Sequence, residues 1–251
     1  MQNRVKVGVL FNCKANLFQK YLEWIIQKSK DSIDFDLVGI HTNDKKYYDS
    51  LAKRNLDTFK KVDDIIEKSD VIFSLGYWRI LKKDKIEKVP LGIVNFHNSY
   101  NLKYKGRNCS TYVIKNNEAF HGATMHFIDE KVDEGEIIAT KKFRINQNDT
   151  AEDIFVKATN TGFKLLKENF YNVIKRQKRT LKVPDNEITY TYGSKDLCHE
   201  IDKKHLLNEK DFLREIRSLT FNKKPSPYIV LDDHKIYLKM DQYDSGILNK
   251  E

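Results

Sequence analysis

Short apolar runs alternate with helix-like segments through the first hundred residues, and this alternation constrains the fold more than any other feature. Each run has the length of a strand, and the segments between runs space their apolar residues like one face of a helix. The runs are residues 5–11, 35–41, 70–75 and 92–97, and the helix-like segments are residues 17–26, 63–68 and 79–87. This order predicts an α/β fold with a Rossmann-like, mainly parallel sheet flanked by helices. The GxGxxG fingerprint is absent, so no NAD site is predicted.

The pattern changes after residue 98. Residues 123–129 and 136–145 alternate apolar and polar positions like strands, and a turn ending at Gly135 separates them. Residues 150–178 have the periodicity of one long amphipathic helix. Thr150 is a suitable N-cap, and Asp153 three residues later completes a capping-box pattern.

A break at Pro184 divides the chain. We place a boundary near residue 183, between a main domain of residues 1–183 and a small C-terminal α+β subdomain of residues 184–251. The predicted elements of this tail are a strand at 188–192, helices at 194–203 and 209–219, and a hairpin of 228–231 with 235–239.

The charge balance favours an anionic partner. The 251 residues carry a formal net charge of +9, which suits nucleic acid, a membrane surface or a phosphorylated small molecule. Residues 164–182 hold seven basic residues and one acid. A solvated helix face explains this stretch more simply than a nucleic-acid-binding surface, because no RRM, KH, helix-turn-helix or zinc-finger signature accompanies it. Its role stays open.

The positions of the cysteines and the lengths of the apolar runs argue against several classes of protein. Cys13, Cys109 and Cys198 lie far apart without a CxxC pair, so neither a disulfide framework nor a Cys-rich zinc site is predicted. The first residues contain no apolar core of a signal peptide. No apolar run approaches the ~20 residues that span a bilayer. We therefore expect a cytoplasmic protein with no membrane partner and no metal.

Two polar residues stand at the end of the strand predicted at 92–97. Asn95 and His97 are two residues apart, so their side chains point to the same face. The carboxyl ends of strands are where open α/β sheets bind ligands. An amide donor beside an imidazole can stabilise an oxyanion and move a proton. Such residues also serve as plain hydrogen-bonded caps, and Asp133 taken alone is a turn residue.

Three spaced blocks resemble the folate-dependent formyltransferase family over about residues 5–170. Its Asn-x-His-x-Ser pattern followed by Tyr-x-Gly-Arg matches residues 95–99 and 104–107. Its Gly-x-Thr-x-His and Asp-x-Gly-x-Ile-Ile patterns match residues 122–126 and 133–138. Residues 74–81 (SLGYWRIL) resemble the segment that lines the family's pterin pocket.

The resemblance implies a role for each matched residue. Asn95 would donate to the formyl oxygen, His97 would assist and pass protons, and Asp133 would orient His97 and accept the amine's proton. The cosubstrate would be 10-formyltetrahydrofolate, with no metal. The residues implied to hold the folate are Trp78, Arg79, Ile80, Leu81, Ile128, Asp129 and Val132.

The family's branches differ in the amine that they formylate. The glycinamide ribonucleotide branch has a glycine-rich first turn, which residues 11–16 lack. The methionyl-tRNA branch carries a barrel-like carboxyl domain, whereas the tail here is short and reads as helices with one hairpin. The branch acting on nucleotide-linked amino sugars, to which a polymyxin-resistance enzyme is related, resembles residues 104–108 and 212–221.

We therefore expect residues 1–183 to be a formyltransferase domain acting on a nucleotide-linked amino sugar. The expected acceptor is dTDP-4-amino-4,6-dideoxyglucose or its 3-amino isomer, as in O-antigen or lipopolysaccharide biosynthesis. Methionyl-tRNA formyltransferase is the alternative, followed by a non-catalytic nucleic-acid-binding protein. The resemblance leaves a homodimer open.

Loop residues near the strand ends are candidates for binding the sugar nucleotide. Arg107 has the geometry to grip a phosphate with two hydrogen bonds. Tyr77 or Trp78 would stack on the base, although a core position suits an aromatic ring equally. The full candidate set is Asn12, Lys14, Tyr77, Lys105 and Arg107. Ordinary solvated loop residues are the alternative reading for its charged members.

Overall fold

Alternating strands and helices form the main body of the computed structural model, which describes residues 4–12, 16–44, 47, 50–51, 56–175, 180–181, 189–193, 197–221 and 224–240. The strands are β1 (Val5–Phe11), β2 (Phe35–Thr42), β3 (Thr58–Phe59), β4 (Val71–Leu75), β5 (Ile93–His97), β6 (Tyr104–Gly106), β7 (Phe120–Phe127), β8 (Ile137–Arg144), β9 (Tyr190–Tyr192), β10 (Tyr228–Leu231) and β11 (His234–Tyr237). The α-helices are α1 (Gln19–Lys30), α2 (Val62–Lys68), α3 (Lys83–Ile86), α4 (Cys109–Lys115), α5 (Ala151–Ile174) and α6 (Glu209–Leu219).

Within these residues, seven strands form one sheet in the order β3-β2-β1-β4-β5-β7-β8. The first five run parallel, and β7 and β8 add antiparallel neighbours beyond β5. This mixed, mainly parallel sheet confirms the predicted fold class. β5 therefore lies where the direction of the sheet changes, and its carboxyl end lies on the same side as the loop that follows β4. Because β7 runs the opposite way, the loop after β7 leaves beside the start of β5, where the backbone N–H of Ile128 donates to the carbonyl of Ile93 at 2.7 Å.

Helices cover both faces of the sheet, which is why its central strands are apolar on both sides. One core cluster includes Tyr21 of α1, Phe73 of β4 and Phe170 of α5. A second cluster on the opposite face includes Leu10 of β1 and Ile65 of α2. The stacking of the Phe73 and Phe170 rings, with centroids 4.9 Å apart, ties α5 to the middle of the sheet.

Helix α5 begins as its sequence predicts. The hydroxyl of Thr150 accepts a hydrogen bond from the backbone N–H of Asp153 (3.2 Å), and the Asp153 carboxylate accepts one from the backbone N–H of Thr150 (2.9 Å). This capping box satisfies two N–H groups that a helix start leaves unpaired. The helix ends at Ile174 rather than near 178, and residues 176–179 lie outside the described part of the chain.

Two predicted helices differ from the structure. The helix expected at 79–87 is limited to Lys83–Ile86, because residues 77–82 form a loop beyond β4. The helix expected at 194–203 is absent from the described residues 197–202, where backbone bonds instead join Ile201 and Tyr228. In both segments, contacts with distant residues decide the local structure: Leu81 packs in the second core cluster, and Ile201 bonds to Tyr228. The periodicity of the sequence does not reveal such contacts.

The tail contacts the main body through aromatic and polar side chains, and the rings of Phe155 and Phe221 have centroids 5.5 Å apart. Helix α6 has the predicted bounds, and the hairpin pairs β10 with β11. Glu215 of α6 pairs with Lys115 of α4 at 2.6 Å, and Arg217 donates to the carbonyl of Asp149 at 2.8 Å. The predicted boundary at 183 lies among residues outside the described part and stays a prediction. No helix in the described residues is long and apolar enough to cross a membrane.

Candidate active site

The end of β5 brings together two of the predicted polar residues and one that was not nominated. Because β5 and β7 pair antiparallel, Asn95 lies opposite His126, and His97 lies opposite Thr124. Side chains of directly opposed residues share a face of the sheet. Asn95 is half-buried, and His97 and His126 are buried. Strand pairing therefore places an amide and two imidazoles in one small volume.

Asp133 reaches this cluster through a tight turn after β7. It has a left-handed backbone with φ of +52°. Gly135, two residues on, passes so close to β7 that an added Cβ would lie 1.8 Å from the carbonyl oxygen of Phe127. Only glycine allows this approach. The turn places the Asp133 carboxylate 3.3 Å from Nδ1 of His97 and within 2.8 Å of the backbone N–H of Gly106.

His97 is held as a cation. Its Nε2 lies 2.6 Å from the carbonyl oxygen of Tyr104, which can only accept, so this nitrogen carries a hydrogen. Its Nδ1 faces the Asp133 carboxylate. Burial lowers the pKa of His97, but Asp133, aided by Cys109 and the Tyr104 carbonyl, outweighs burial and raises that pKa to about 10. At neutral pH, an imidazolium therefore faces a carboxylate.

His126 has the opposite protonation state. Burial lowers its pKa to about 4, with Asp133 opposing and the His97 charge reinforcing that change. Its Nδ1 lies 2.8 Å from the carbonyl of Phe127, and its Nε2 lies 3.2 Å from Nδ2 of Asn95. Its distance to Asp133 is 3.6 Å, too long for a hydrogen bond. Alternation in the sequence predicts that Thr124 and His126 share one face of a strand. Only the pairing of β5 with β7 shows that His126 lies opposite Asn95.

A cavity of about 260 Å³ opens beside this cluster. Asn95, His97, His126 and Asp133 all line it. So does every residue predicted to hold the folate: Trp78, Arg79, Ile80, Leu81, Ile128, Asp129 and Val132. Three apolar residues of its rim are strongly exposed, Trp78 at 59%, Ile80 at 75% and Val132 at 47%. Such a group of exposed apolar side chains at a cavity suits the binding of a flat, partly apolar molecule.

A larger cavity of about 710 Å³ adjoins the first. Two predicted sugar-nucleotide residues, Asn12 and Arg107, line it. Tyr77 lines the smaller cavity instead. Lys105 is not among the described residues lining either cavity, and its ammonium group pairs with Glu134 at 3.1 Å. Lys14 lies outside the described residues.

Several residues of the larger cavity were not nominated from the sequence. Phe18, Phe155 and Phe221 give it aromatic walls, and Lys224 adds a cation from the tail. The Lys224 ammonium donates to the side-chain oxygen of Asn108 at 3.1 Å and lies 4.7 Å from the ring centre of Phe221. Lys224 as a whole is exposed, but partial desolvation of its ammonium group against these neighbours lowers its pKa. These residues come from separate segments, so no local motif announces them.

The two cavities share residues at their junction. Trp78, Phe96, His97 and Arg107 line both. A molecule in each cavity would therefore meet its neighbour beside His97, with Asn95 and Asp133 on the smaller cavity's side. No group of three or more His, Cys, Asp or Glu residues in the described part of the chain has the arrangement to hold a metal ion.

Comparison with known families gives one match. A sequence model described as formyl transferase matches residues 36–169, more than half of the 251 residues. The matched range contains Asn95, His97, His126 and Asp133. It ends within α5, so the tail lies outside the match.

Curated relatives match at modest identity. The bifunctional polymyxin resistance protein ArnA of Wigglesworthia glossinidia brevipalpis is 26% identical over 213 residues, covering 79% of this chain and 32% of its own length. The methionyl-tRNA formyltransferase of Clostridioides difficile is 31% identical over 126 residues, covering 50% of this chain and 40% of its own. The match thus spans 32% of the length of the first relative and 40% of the length of the second.

Solved structures match over more of their length. The sugar 3N-formyl transferase WlaRD, crystallised with dTDP and 5-N-formyl-THF, has a TM-score of 0.74 at 25% identity, covering 93% of this chain and 85% of its own. A 4-N formyltransferase from Francisella tularensis has a TM-score of 0.76 at 19% identity, covering 94% and 97%. The second likeness concerns the fold alone.

Proposed function

Because this chain belongs to the formyl transferase family, we propose that it transfers the formyl group of 10-formyltetrahydrofolate to the amino group of a nucleotide-linked amino sugar. One observation carries this proposal. A cluster of Asn95, His97 and Asp133 lies where a smaller, apolar-rimmed cavity meets a larger one lined by cations and aromatic rings. A transfer reaction between two bound molecules needs two such sites with the reacting groups at their junction.

The smaller cavity suits the folate. Trp78, Ile80 and Val132 offer exposed apolar surface to a pterin ring. Asp129 and the backbone around it offer polar partners at the same rim. The formyl carbon would then lie beside Asn95, whose amide nitrogen has a second N–H free to donate to the formyl oxygen.

The larger cavity suits a sugar nucleotide. Arg107 and Lys224 bring two positive charges to it, which fits a pyrophosphate. Phe18, Phe155 and Phe221 are available to pack against a base or a sugar. The similar 3N-formyl transferase was crystallised with dTDP and a folate, which supports a dTDP-linked acceptor here.

The proposed chemical step is attack of the neutral amine on the formyl carbon. The Asn95 N–H and the His97 charge stabilise the oxygen as it becomes negative, an effect typically worth about 10²- to 10³-fold in rate per donor. Asp133 accepts the proton that the attacking nitrogen loses, and the departing folate nitrogen regains a proton. When the negative oxygen re-forms its double bond to carbon, the carbon–nitrogen bond to the folate breaks, and the folate nitrogen takes up the proton that Asp133 received from the amine.

The methionyl-tRNA alternative has weaker support. The Clostridioides difficile enzyme matches half of this chain and two fifths of its own length. The similar sugar 3N-formyl transferase structure extends over 93% of this chain, which is too much of the chain to leave out the tail that supplies Lys224. Within this proposal, the acceptor is dTDP-4-amino-4,6-dideoxyglucose or its 3-amino isomer. O-antigen or lipopolysaccharide biosynthesis in the cytoplasm is the proposed setting, and a homodimer stays open.

The test is a direct competition between acceptors. The purified protein is incubated with 10-formyltetrahydrofolate and, separately, with each dTDP-amino-sugar isomer, UDP-4-amino-arabinose and charged initiator methionyl-tRNA. Mass spectrometry should detect the gain of one formyl group on a sugar nucleotide, and the Asn95→Ala variant is the control for enzymatic transfer. Faster formylation of the tRNA than of every sugar nucleotide would reverse the ranking.

A further inference from the structure

We infer that His126 is a positioning residue that fixes the side-chain amide of Asn95, with its nitrogen toward His126 and one N–H left for the reaction centre. This inference rests on the proposed formyl transfer for its kinetic consequences, but the arrangement itself follows from the hydrogen bonds. His126 lies opposite Asn95 in the strand register, so the two side chains meet without any loop between them.

The Nδ1 atom of His126 must carry the ring's hydrogen. It lies 2.8 Å from the carbonyl oxygen of Phe127, the next residue in β7. A carbonyl oxygen has no hydrogen to donate, so the ring nitrogen donates. A buried imidazole with one hydrogen on Nδ1 presents a lone pair at Nε2. The His126 side chain is only 2% exposed, and burial disfavours a second proton.

The lone pair at Nε2 decides which end of the Asn95 amide faces it. Hydrogen-bond partners distinguish the oxygen of an amide from its nitrogen. Nε2 lies 3.2 Å from Nδ2 of Asn95, so the amide donates one of its two N–H groups to His126. The opposite orientation would put two acceptors face to face and turn the amide's N–H groups elsewhere. His126 thereby leaves the second N–H for the formyl oxygen.

The same hydrogen placement leaves Asp133 available. Its Oδ1 lies 3.6 Å from Nε2 of His126, and no hydrogen sits between them. Its Oδ2 accepts from the backbone N–H of Gly106 and faces His97. Oδ1 therefore keeps its capacity to accept the amine's proton. The two histidines therefore have different roles. The charged His97 pairs with Asp133, and the uncharged His126 orients the amide of Asn95.

The kcat of His126→Phe distinguishes a His126 ring that only fills space from one that orients the Asn95 amide. In His126→Phe, a ring remains but the acceptor is lost, so the Asn95 amide can rotate away from the formyl oxygen. Displacing a reacting group by about 1 Å can cost on the order of 10²-fold in rate. We expect kcat to fall by about 10- to 100-fold with the KM of the folate little changed, since His126 contributes to the transition state through Asn95.

The matched control lies on the same strand. His121 in β7 is 1% exposed, as is His126, and it lines neither cavity among the described residues. His121 bonds to the backbone of Asn98 and not to the Asn95 amide, so His121→Phe makes the same chemical change without altering the orientation of that amide, and it should retain kcat within about twofold. His126→Gln offers a side-chain oxygen as a new acceptor and should recover part of the loss. Thermal melting of all three variants separates folding defects from kinetic ones.

A double-mutant cycle provides the decisive measurement. If His126 acts through Asn95, adding His126→Phe to Asn95→Ala should lower kcat by less than about twofold, because the amide to be oriented is already gone. Equal losses in the two backgrounds, or a His126→Phe enzyme with normal kcat, would overturn the inference.

A second readout does not depend on activity. Nitrogen-15 NMR of the histidines at pH 7 should give His126 as a neutral ring protonated on Nδ1, and Asn95→Ala should shift its Nε2 signal. A ring protonated on Nε2 would overturn the positioning role even in an active enzyme. If wild-type protein formylates no sugar nucleotide while this NMR pattern holds, the proposed function fails and the arrangement stands.

Discussion

The two cavities that meet at His97 are assembled in different ways. The smaller one is lined largely by two short segments, residues 76–81 after β4 and residues 128–133 after β7. The larger one gathers side chains from distant parts of the chain: Asn12 after β1, Phe155 in α5, and Phe221 and Lys224 in the tail. Two loops that directly follow strands of the sheet form most of the smaller cavity, whereas the larger cavity is complete only when the tail packs against the main body.

Because of this difference, the two cavities respond differently to substitutions in the tail. Changes in the tail alter the larger cavity without touching the lining of the smaller one, because residues 221 and 224 line only the former among the described residues. Under the proposed function, the cavity for the acceptor can therefore change while the cavity for the folate stays the same. Binding residues commonly lie on loops that a rigid sheet positions.

Asp133 stands on the smaller cavity's side of the junction and should affect turnover more than binding in either cavity. Asp133→Asn keeps the shape but removes the proton acceptor. We expect kcat to fall by about 10³-fold, within the usual contribution of a general base, with both KM values little changed. Steady-state kinetics with each substrate varied in turn measures this.

Glu136→Gln is the matched control for Asp133. It neutralises an exposed carboxylate three residues later in the same connection, which lines neither cavity in the described structure. It should leave kcat within about twofold. Asp133→Asn retaining more than about a tenth of the wild-type rate, a loss below ~1.4 kcal/mol, would remove Asp133 from the role of proton acceptor.

A pair of surface substitutions should separate the two cavities. Ile80→Asp places a charge on the apolar rim of the smaller cavity and should raise the KM of the folate by about tenfold, since burying an aliphatic side chain is worth about 1.5–3 kcal/mol. Lys224→Ala removes one cation from the larger cavity and should raise the KM of the sugar nucleotide by about fivefold. An exposed ion pair is worth only about 1 kcal/mol.

Each variant serves as the control for the other. Ile80 is 75% exposed and Lys224 lies on the surface, so neither should unfold the protein. Each should leave the KM of the other substrate within about twofold. A folate KM raised by Lys224→Ala, or a sugar-nucleotide KM raised by Ile80→Asp, would mean that the cavities are assigned the wrong way round.

The sequence predicted what lies within contiguous segments. The sheet with its parallel core, the capping box at Thr150 and helix α6 follow from local patterns, and the structure confirms them. The residues predicted for the folate all line one cavity because they occupy two short loops. Their role in binding stays a prediction.

The sequence missed what depends on contacts between distant segments. The His126 contact with Asn95 needs the register of β5 against β7, and Lys224 reaches the larger cavity only through the folding of the tail. The helix expected at 194–203 gives way to backbone bonds with Tyr228. The family resemblance places Asp133 beside His97, but the raised pKa of His97 depends on burial and on the 3.3 Å distance between the Asp133 carboxylate and Nδ1, which no sequence pattern gives.

The charge on His97 should affect the stability of the protein and not binding in either cavity. The folded-state pKa of His97, raised to about 10, exceeds the value near 6.5 expected in the unfolded chain. The folded protein therefore holds this proton more tightly, and the stabilisation is complete below about pH 6.5 and is lost as the pH rises through about 10. Removing the imidazole in His97→Gln should remove this dependence.

Melting temperatures of wild type and His97→Gln, measured side by side from pH 7 to 10, isolate that dependence because the lysines and tyrosines titrate alike in both. The wild-type melting temperature should fall by several degrees more than that of the variant, because stability changes by up to ~1.4 kcal/mol for each pH unit between the two pKa values. A change of about 1 kcal/mol shifts the melting temperature by about 2–4 °C in a protein of this size. Parallel curves would mean that His97 is uncharged at pH 7. In that case, protonation of both His97 and the acceptor amine would lower the transfer rate at acid pH. If His97 is already charged at pH 7, protonation of the amine alone lowers that rate.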